Sequence, residues 1–451
     1  MTATLPGSRP PGAAQPPARL GGPGRGSRRG AAPRDSRGAL TTPSALRALL
    51  VGLVLLSLAW GALGAWVATQ HASAASSLVA VDEPLSIGAQ QMYQDIADAD
   101  ATVTATYLTG VASSAALRRY QSDIRDASSR LALLRGDNPT ESAALTAFSA
   151  GMPVYAGFVG KAQTEYAMGY PLTGGSFLQV ASEQAHLVLL PAARTIFDQE
   201  NAALDAASGQ ATEWPTMIAA LVLAVVTGIA AFRAQRWLTR RTNRMFSPGL
   251  VLASLLLVIG TAWLAAGFLS ARSDLDRGIG QGSVPAQDLA RASIGVQQIR
   301  GDAVLNVISR SGSASFADDF TRTSKQVGPG AGSWLGDAAA AQAGTGKAVS
   351  LIAAAQRDAT SWYAANAKVY PLGLAANYAG EQASVIGATD GYNALHTAIT
   401  EAISADQAVF ESAASSGRDT LGPLAAVVIA TSVLMALGSA WALTRRLAEY
   451  R

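Results

Sequence analysis

Four stretches contain no Asp, Glu, Lys or Arg at all: Ala48 to Val81, Trp214 to Phe232, Met245 to Ala271 and Thr420 to Thr444. A helix needs roughly 20 apolar residues to cross a hydrocarbon core. Lipid admits helices because their backbone groups are satisfied internally. The tracts therefore predict an all-α integral membrane protein with four transmembrane helices, at 48–69, 214–232, 249–271 and 421–444. The first tract is followed by the small residues Ala72, Ser73 and Ala74, a possible cleavage sequence. Its basic leader is long, and the run exceeds the roughly 7 to 15 apolar residues of a signal peptide. It reads as an uncleaved signal anchor.

Orientation follows from where the arginines sit, because short loops rich in Lys and Arg stay in the cytoplasm. Arg233, Arg236, Arg240, Arg241 and Arg244 crowd the hairpin 233–248 between the second and third tracts. The tail 1–47 has eight arginines against Asp35, and the tail 445–451 has Arg445, Arg446 and Arg451 against Glu449. Both termini and the hairpin are therefore expected inside. The long connections fall outside, and their charge agrees: Gln70 to Glu213 has 15 acidic and seven basic residues, Arg272 to Asp419 has 14 and 11. The net charge of +3 is a sum over these compartments and gives no ground for nucleic-acid binding.

Residues 1–47 are dominated by Pro, Gly, Ala and Arg, a composition that cannot offset its ordering entropy, and are expected to be disordered. Such a tail is attracted to an anionic inner leaflet by about 1 kcal/mol per arginine near the surface. The chain has no cysteine, which excludes disulfides, thiolate nucleophiles and Cys-ligated metal.

The exterior segments 70–213 and 272–420 are helical by period. Leu117, Tyr120, Ile124, Ala127, Leu131 and Leu134 form a bundle stripe; Leu85, Ala89, Met92, Ile96, Ala99 and Val103 form another, and Leu289, Ala292, Val296, Ile299 and Ala303 repeat it. Breaks are predicted near Gly110, at Gly136 to Pro139 and at Tyr170-Pro171 with Gly174-Gly175; then near Gly312, at QVGPGAGSWLG and at Tyr370-Pro371. Each segment thus divides into about four helices, a four-helix-bundle-like domain whose outer helices continue the spans. Asp100-Ala101 before Gly110 recurs as Asp302-Ala303 before Gly312, and Tyr170-Pro171-Leu172 recurs as Tyr370-Pro371-Leu372. The shared offset near 200 points to an internal duplication.

Little in the chain looks catalytic. The histidines His71, His186 and His396 form no metal-binding pair, no nucleophile-elbow motif occurs, and AGTGKA around Lys347 lacks the first glycine and the Ser or Thr of a phosphate loop. No cofactor and no catalytic residue are assigned. His186 and His396, each in the last predicted helix of its domain, and Tyr170 and Tyr370, at bends, are the candidate ligand or partner contacts. Asp100 and Asp302 stand on first helices, where a buried carboxylate would demand a partner. Ser57, Gly61 and Ala65 form a small-residue row for close helix packing, as do Ala436 and Ala440. The tracts hold no ionisable residue of the kind that marks a transport pathway.

The segment from Tyr155 through YPLTGGSFLQVASEQAHLVLLPAARTIFDQE, Tyr170 to Glu200, together with the arginine-rich hairpin, resembles the GlnX-type four-span membrane proteins of actinobacteria. The resemblance implies a relay of amino-acid availability from an extracytoplasmic solute-binding lipoprotein to a soluble Ser/Thr kinase. The expected function is a non-enzymatic transmembrane sensor or adaptor, with a structural or assembly scaffold of the cell envelope as the alternative.

Overall fold

The computed structural model describes residues 42–109, 114–137, 142–211, 213–242, 248–309, 314–342 and 346–448. These are almost entirely helical, with no strand among them. The first half comprises α1 (Thr42–Ser77), α2 (Glu83–Thr109), α3 (Ser114–Asp137), α4 (Ala143–Ala167), α5 (Pro171–Gln184), α6 (Leu190–Ala211) and α7 (Pro215–Thr242). The second comprises α8 (Pro248–Gly278), α9 (Val284–Ser309), α10 (Ala314–Val327), α11 (Trp334–Ala341), α12 (Lys347–Asn366), α13 (Val369–Leu374), α14 (Tyr378–Gly387) and α15 (Thr389–Ala448). Three π-helical turns interrupt them: Leu78–Asp82, Ala185–Leu189 and Ile279–Ser283.

Four uninterrupted or nearly uninterrupted helical stretches carry the apolar tracts: Arg47–Thr106, Pro171–Arg240, Pro248–Val307 and Tyr378–Arg445, with mean hydropathy of 2.1 to 2.2 in their most apolar windows. A fifth stretch, Ala143–Ala167, is also long and apolar enough to cross a membrane, at 1.3. Its apolarity has a second source, since α4 supplies the fully buried Phe148, Tyr155 and Val159 to a packed core. On α1, α7, α8 and α15 many large side chains are exposed instead, among them Leu55, Trp66, Val222, Phe232, Val258, Trp263, Leu437 and Trp441. An exposed apolar surface of this extent is what a hydrocarbon environment covers.

α1 and α8 both pack along the far half of α15. Ser57 and Ala65 are buried in this contact, and a methyl group at Gly61 would run into the side chain of Ser432. The small-residue row therefore sets how closely the helices approach.

Beyond the apolar helices, the two halves share one core. It joins Met92, Ile96 and Phe148 of the first half to Ile294, Val296 and Ile299 of the second. At its centre α9 is buried on every side from Ala292 to Gln297, as expected of a helix with neighbours all around.

Several expectations need correction. Thr42 to Arg47, assigned to a disordered tail, extend α1, whose first turn accepts Pro43 because that turn has no N–H partner to lose. Residues 1–41 lie outside the described residues, as do Gly110, Asn138, Pro139, Gly312, Arg244, Glu449 and Arg451. Gly174 and Gly175 are no break; they lie inside α5, where Gly174 sits close to the backbone of Ala162. The turn falls just before them, at Gly169, whose φ of 85° lets the Tyr170 N–H reach the Glu165 carbonyl at 2.9 Å. Tyr370-Pro371 lies within α13 and is not the bend itself. The second half is also cut into more pieces than the four expected, because α11, α13 and α14 are short helices of 8, 6 and 10 residues.

Candidate functional site: a buried clasp between the halves

The chain's most unusual polar arrangement sits where α2 meets α9. Asp100, on α2, is 4% exposed, and its carboxylate is met from three sides of the first half. Ser182 of α5 donates its hydroxyl to Oδ2 at 2.8 Å, Tyr155 of α4 points its hydroxyl at Oδ1 from 3.4 Å, and His186 Nε2 lies 3.4 Å from Oδ2. A buried carboxylate needs such partners, since burying a charge without them costs several kcal/mol.

His186 carries the network across to the second half. Its Nδ1 is 3.8 Å from Oδ1 of Asp302 on α9, so one imidazole stands between two carboxylates. Gly301 permits this approach, because a Cβ there would collide with the ring. The histidine belongs to the π-helical turn Ala185–Leu189 between α5 and α6. A π turn inserts one extra residue into a helix and re-aims the side chains around it, and such turns gather at functional sites.

The electrostatics favour a proton on this group. Burial disfavours the imidazolium, but the hydrogen bond and charge of Asp100, with the charge of Asp302, outweigh it and raise the His186 pKa. Asp302 is pushed up to about 6, by burial first, against the pull of His186. Arg300 lines a small cavity together with Asp100 and His186, but it faces Asp98, at 3.9 Å, and the ring of Tyr392, at 4.1 Å. The arrangement can hold or release a proton between the halves. It differs from a Ser-His-Asp triad, whose serine must touch the imidazole; here Ser182 touches the carboxylate.

The sequence-selected residues fall into different environments. His186 is interior and joins Asp100 to Asp302. His396 lies on α15, stacked at 5.6 Å on Tyr392, with its pKa lowered by burial and by Arg300 and Arg119 against the pull of Asp98. Tyr170 is 60% exposed at the start of α5. Tyr370 is 4% exposed and packs against Phe320 at 5.2 Å, which removes it as a surface anchor. Its surroundings, Val369, Phe320 and Val385, explain the burial. Arg233, Arg236 and Arg240 are exposed at the end of α7, while the side chain of Arg241 and all of Arg244 lie outside the described residues.

Sequence reasoning missed Tyr155 and Ser182 as partners of Asp100, although both lie in the stretch that carried the family resemblance. It also missed Gly301, whose position next to Asp302 was the available signal. Further buried acids occur elsewhere. Asp406 is fully buried with Gln342 Nε2 at 2.7 Å, and burial pushes its pKa to about 7. Glu83 is pushed to about 7 by burial and by Glu411. Among the described residues, no group of three or more His, Cys, Asp or Glu side chains is arranged to hold a metal ion.

Comparison with known proteins locates this network. Residues 74–209 match the model of a family described as an actinobacterial sensor domain. The match supports a sensing role. It covers less than a third of the chain and contains Asp100, Tyr155, Ser182 and His186, whereas Gly301 and Asp302 lie beyond it. No curated protein and no solved structure matches the chain.

Proposed function

We propose that the chain is a non-enzymatic, four-span membrane sensor in which both helical lobes face outward and the first receives the signal. One observation carries the reading: the region matching a sensor domain is a bundle whose first helix continues an apolar helix through a single π turn, with no loop between them, from Arg47 to Thr106. Movement of that bundle is thereby coupled to its membrane segment. The apolar faces of α1, α7, α8 and α15 support four spans, and the weaker hydropathy of α4, with its core role, supports leaving it out of the membrane. The exposed arginines ending α7 support a cytoplasmic hairpin.

Two π turns, Leu78–Asp82 and Ile279–Ser283, recur about 200 residues apart at the junction between an apolar helix and the first helix of a lobe. Their recurrence favours the duplication. Counted from them, Asp100 falls level with Gly301, one position before Asp302, so the clasp is built from neighbouring and not identical places in the repeat.

A signal shifts such a protein only by binding one packing of the lobes more tightly than another. The cytoplasmic output passes through the hairpin and tails to a signalling partner such as a Ser/Thr kinase, and a solute-binding lipoprotein is the candidate input, both on the strength of the family resemblance. The test uses the absence of native cysteine. Ser128→Cys, Ser350→Cys and Thr239→Cys variants are treated in intact cells with a membrane-impermeant thiol reagent. Labelling at the first two and protection of the third is expected; protected lobes or a labelled Thr239→Cys would end the reading.

A further inference from the structure

The first lobe contains a cavity of about 440 Å³ between α2, α3, α4 and α5. That lies within the roughly 300 to 1,000 Å³ range of small-molecule sites. Its wall includes Val103, Leu117, Tyr120, Ala162 and Leu178, with Thr102, Thr106 and Gln163 as polar points. Among the described residues lining it there is no Asp, Glu, Lys, Arg or His.

At the offset of 200 set by the two Tyr-Pro-Leu tripeptides, the second lobe carries larger side chains at several of these positions. Two hundred positions after Tyr120 and Gln163 stand Phe320 and Tyr363, whose rings meet at 6.3 Å, and Tyr370 closes on Phe320 at 5.2 Å. Trp362, the counterpart of Ala162, is 2% exposed. Where the second lobe has Phe320, Trp362, Tyr363 and Tyr370, the first has Tyr120, Ala162, Gln163 and an outward-facing Tyr170. Close packing is the norm in protein interiors, so the first lobe forgoes packing that the same architecture elsewhere obtains.

From these observations we infer that the cavity is a binding site for an uncharged, mainly apolar small molecule bearing a hydroxyl or carbonyl group. A zwitterionic amino acid or any other ion would find no charged group on this wall to pair with, and any charge carried into its depth would be desolvated without compensation. An apolar body gains about 25 cal/mol per Å² removed from water. The occupant is also placed to affect the clasp. Tyr120 lines the cavity, its ring centroid is 6.4 Å from that of Tyr155, and Tyr155 holds Asp100. A ligand that shifts Tyr120 thereby acts on Asp100, His186 and Asp302.

The inference rests on the sensor reading of residues 74–209 and is tested with the full chain in lipid nanodiscs, using benzophenone as a neutral photoreactive ketone. Labelled peptides are mapped by mass spectrometry; lipid-dissolved probe labels the apolar helices without saturating and serves as the reference. Saturable labelling is expected in peptides spanning residues 102–106 and 162–167. It should fall about tenfold or more, equivalent to about 1.4 kcal/mol, in the double variant Ala162→Trp, Gln163→Tyr, and survive excess L-glutamine and L-glutamate. Leu117→Trp, at the exposed rim, repeats the block should the double variant lose helix content by circular dichroism. Absence of saturable labelling, its persistence in folded blocked variants, or its displacement by the amino acids would overturn the site. The cysteine mapping separates the two claims: outward lobes without the label remove the site alone, and a labelled cavity in inward-facing lobes removes the sensor reading alone.

Discussion

The two lobes carry the same tripeptide, Tyr-Pro-Leu, and treat it in opposite ways. Tyr170 is 60% exposed in the lobe that holds the cavity, while Tyr370 is 4% exposed and completes an aromatic core with Phe320 and Tyr363. One lobe is therefore stabilised by filling its interior and the other keeps room inside. The packed second lobe and the hollow first lobe thus make opposite use of the same tripeptide, and on the proposed sensor reading the hollow one is where a ligand would act. The clasp lies between them, with Asp100 and His186 from the hollow side and Gly301 and Asp302 from the packed side.

The contrast is sharpest in its energetic consequences. Trp362→Ala in the packed lobe is expected to cost about 3 to 5 kcal/mol, whereas Gln163→Ala at the cavity wall should stay within about 0.5 kcal/mol of the parent. Denaturation of the full chain followed by circular dichroism measures both; equal costs would erase the distinction between the lobes. Gly301→Ala forces a methyl against His186 and is expected to destabilise by about 1 to 3 kcal/mol. Because Ala at the same helix position improves propensity, a stabilised variant would show that the halves do not depend on this approach.

Protonation gives a third comparison. Asp406 has its pKa raised from 3.8 to about 7 by burial, so its contribution to stability falls as pH rises from about 4 through 7. Asp406→Asn should therefore be nearly neutral at pH 3.5 and stabilise by roughly 1 to 3 kcal/mol at pH 8; a destabilised variant at pH 8 would show that the charged carboxylate is well accommodated. The smallest effect is reserved for the tyrosine pair. The Tyr370 hydroxyl is buried with no hydrogen-bond partner among the described residues, so Tyr370→Phe should be neutral or stabilise by up to about 1 kcal/mol, while exposed Tyr170→Phe should change nothing measurable.

The apolar tracts and the helical stripes were legible because they depend on local pattern: Tyr120, Ala127 and Leu134 are buried at the predicted spacing, as are Ala89, Met92, Ile96 and Ala99. The packing of Ser57, Gly61 and Ala65 was legible for the same reason. What could not be read was anything that joins distant segments. Asp100, His186 and Asp302 each attracted notice alone, but no spacing rule links a residue on α2 to a π turn and to α9. The π turn itself has no signature in AHLVL, since it arises from how α5 and α6 accommodate their neighbours. Tyr370 was misread because a Tyr-Pro pair reads as a surface bend until Val369 and Phe320 are seen to enclose it. The cavity was invisible for a different reason: it lies between α2, α3, α4 and α5, and no local pattern shows which side chains of four helices leave room when they meet.

Beyond the apolar core that the two halves share, a protonated His186 ties the hollow lobe to the packed one. Its folded pKa is raised, so the hold is fully present below the ordinary histidine value and is lost as pH rises through the folded value. Asp302, raised to about 6, acts in the same direction as pH rises from about 4 to 6. Spin labels at Ser128→Cys and Ser350→Cys report the distance between the lobes by pulsed electron resonance. A narrow distribution is expected at pH 5.5, shifting or broadening at pH 8.5, and a His186→Gln variant should no longer respond. Identical distributions at both pH values in the parent protein, or an unchanged response in His186→Gln, would contradict it.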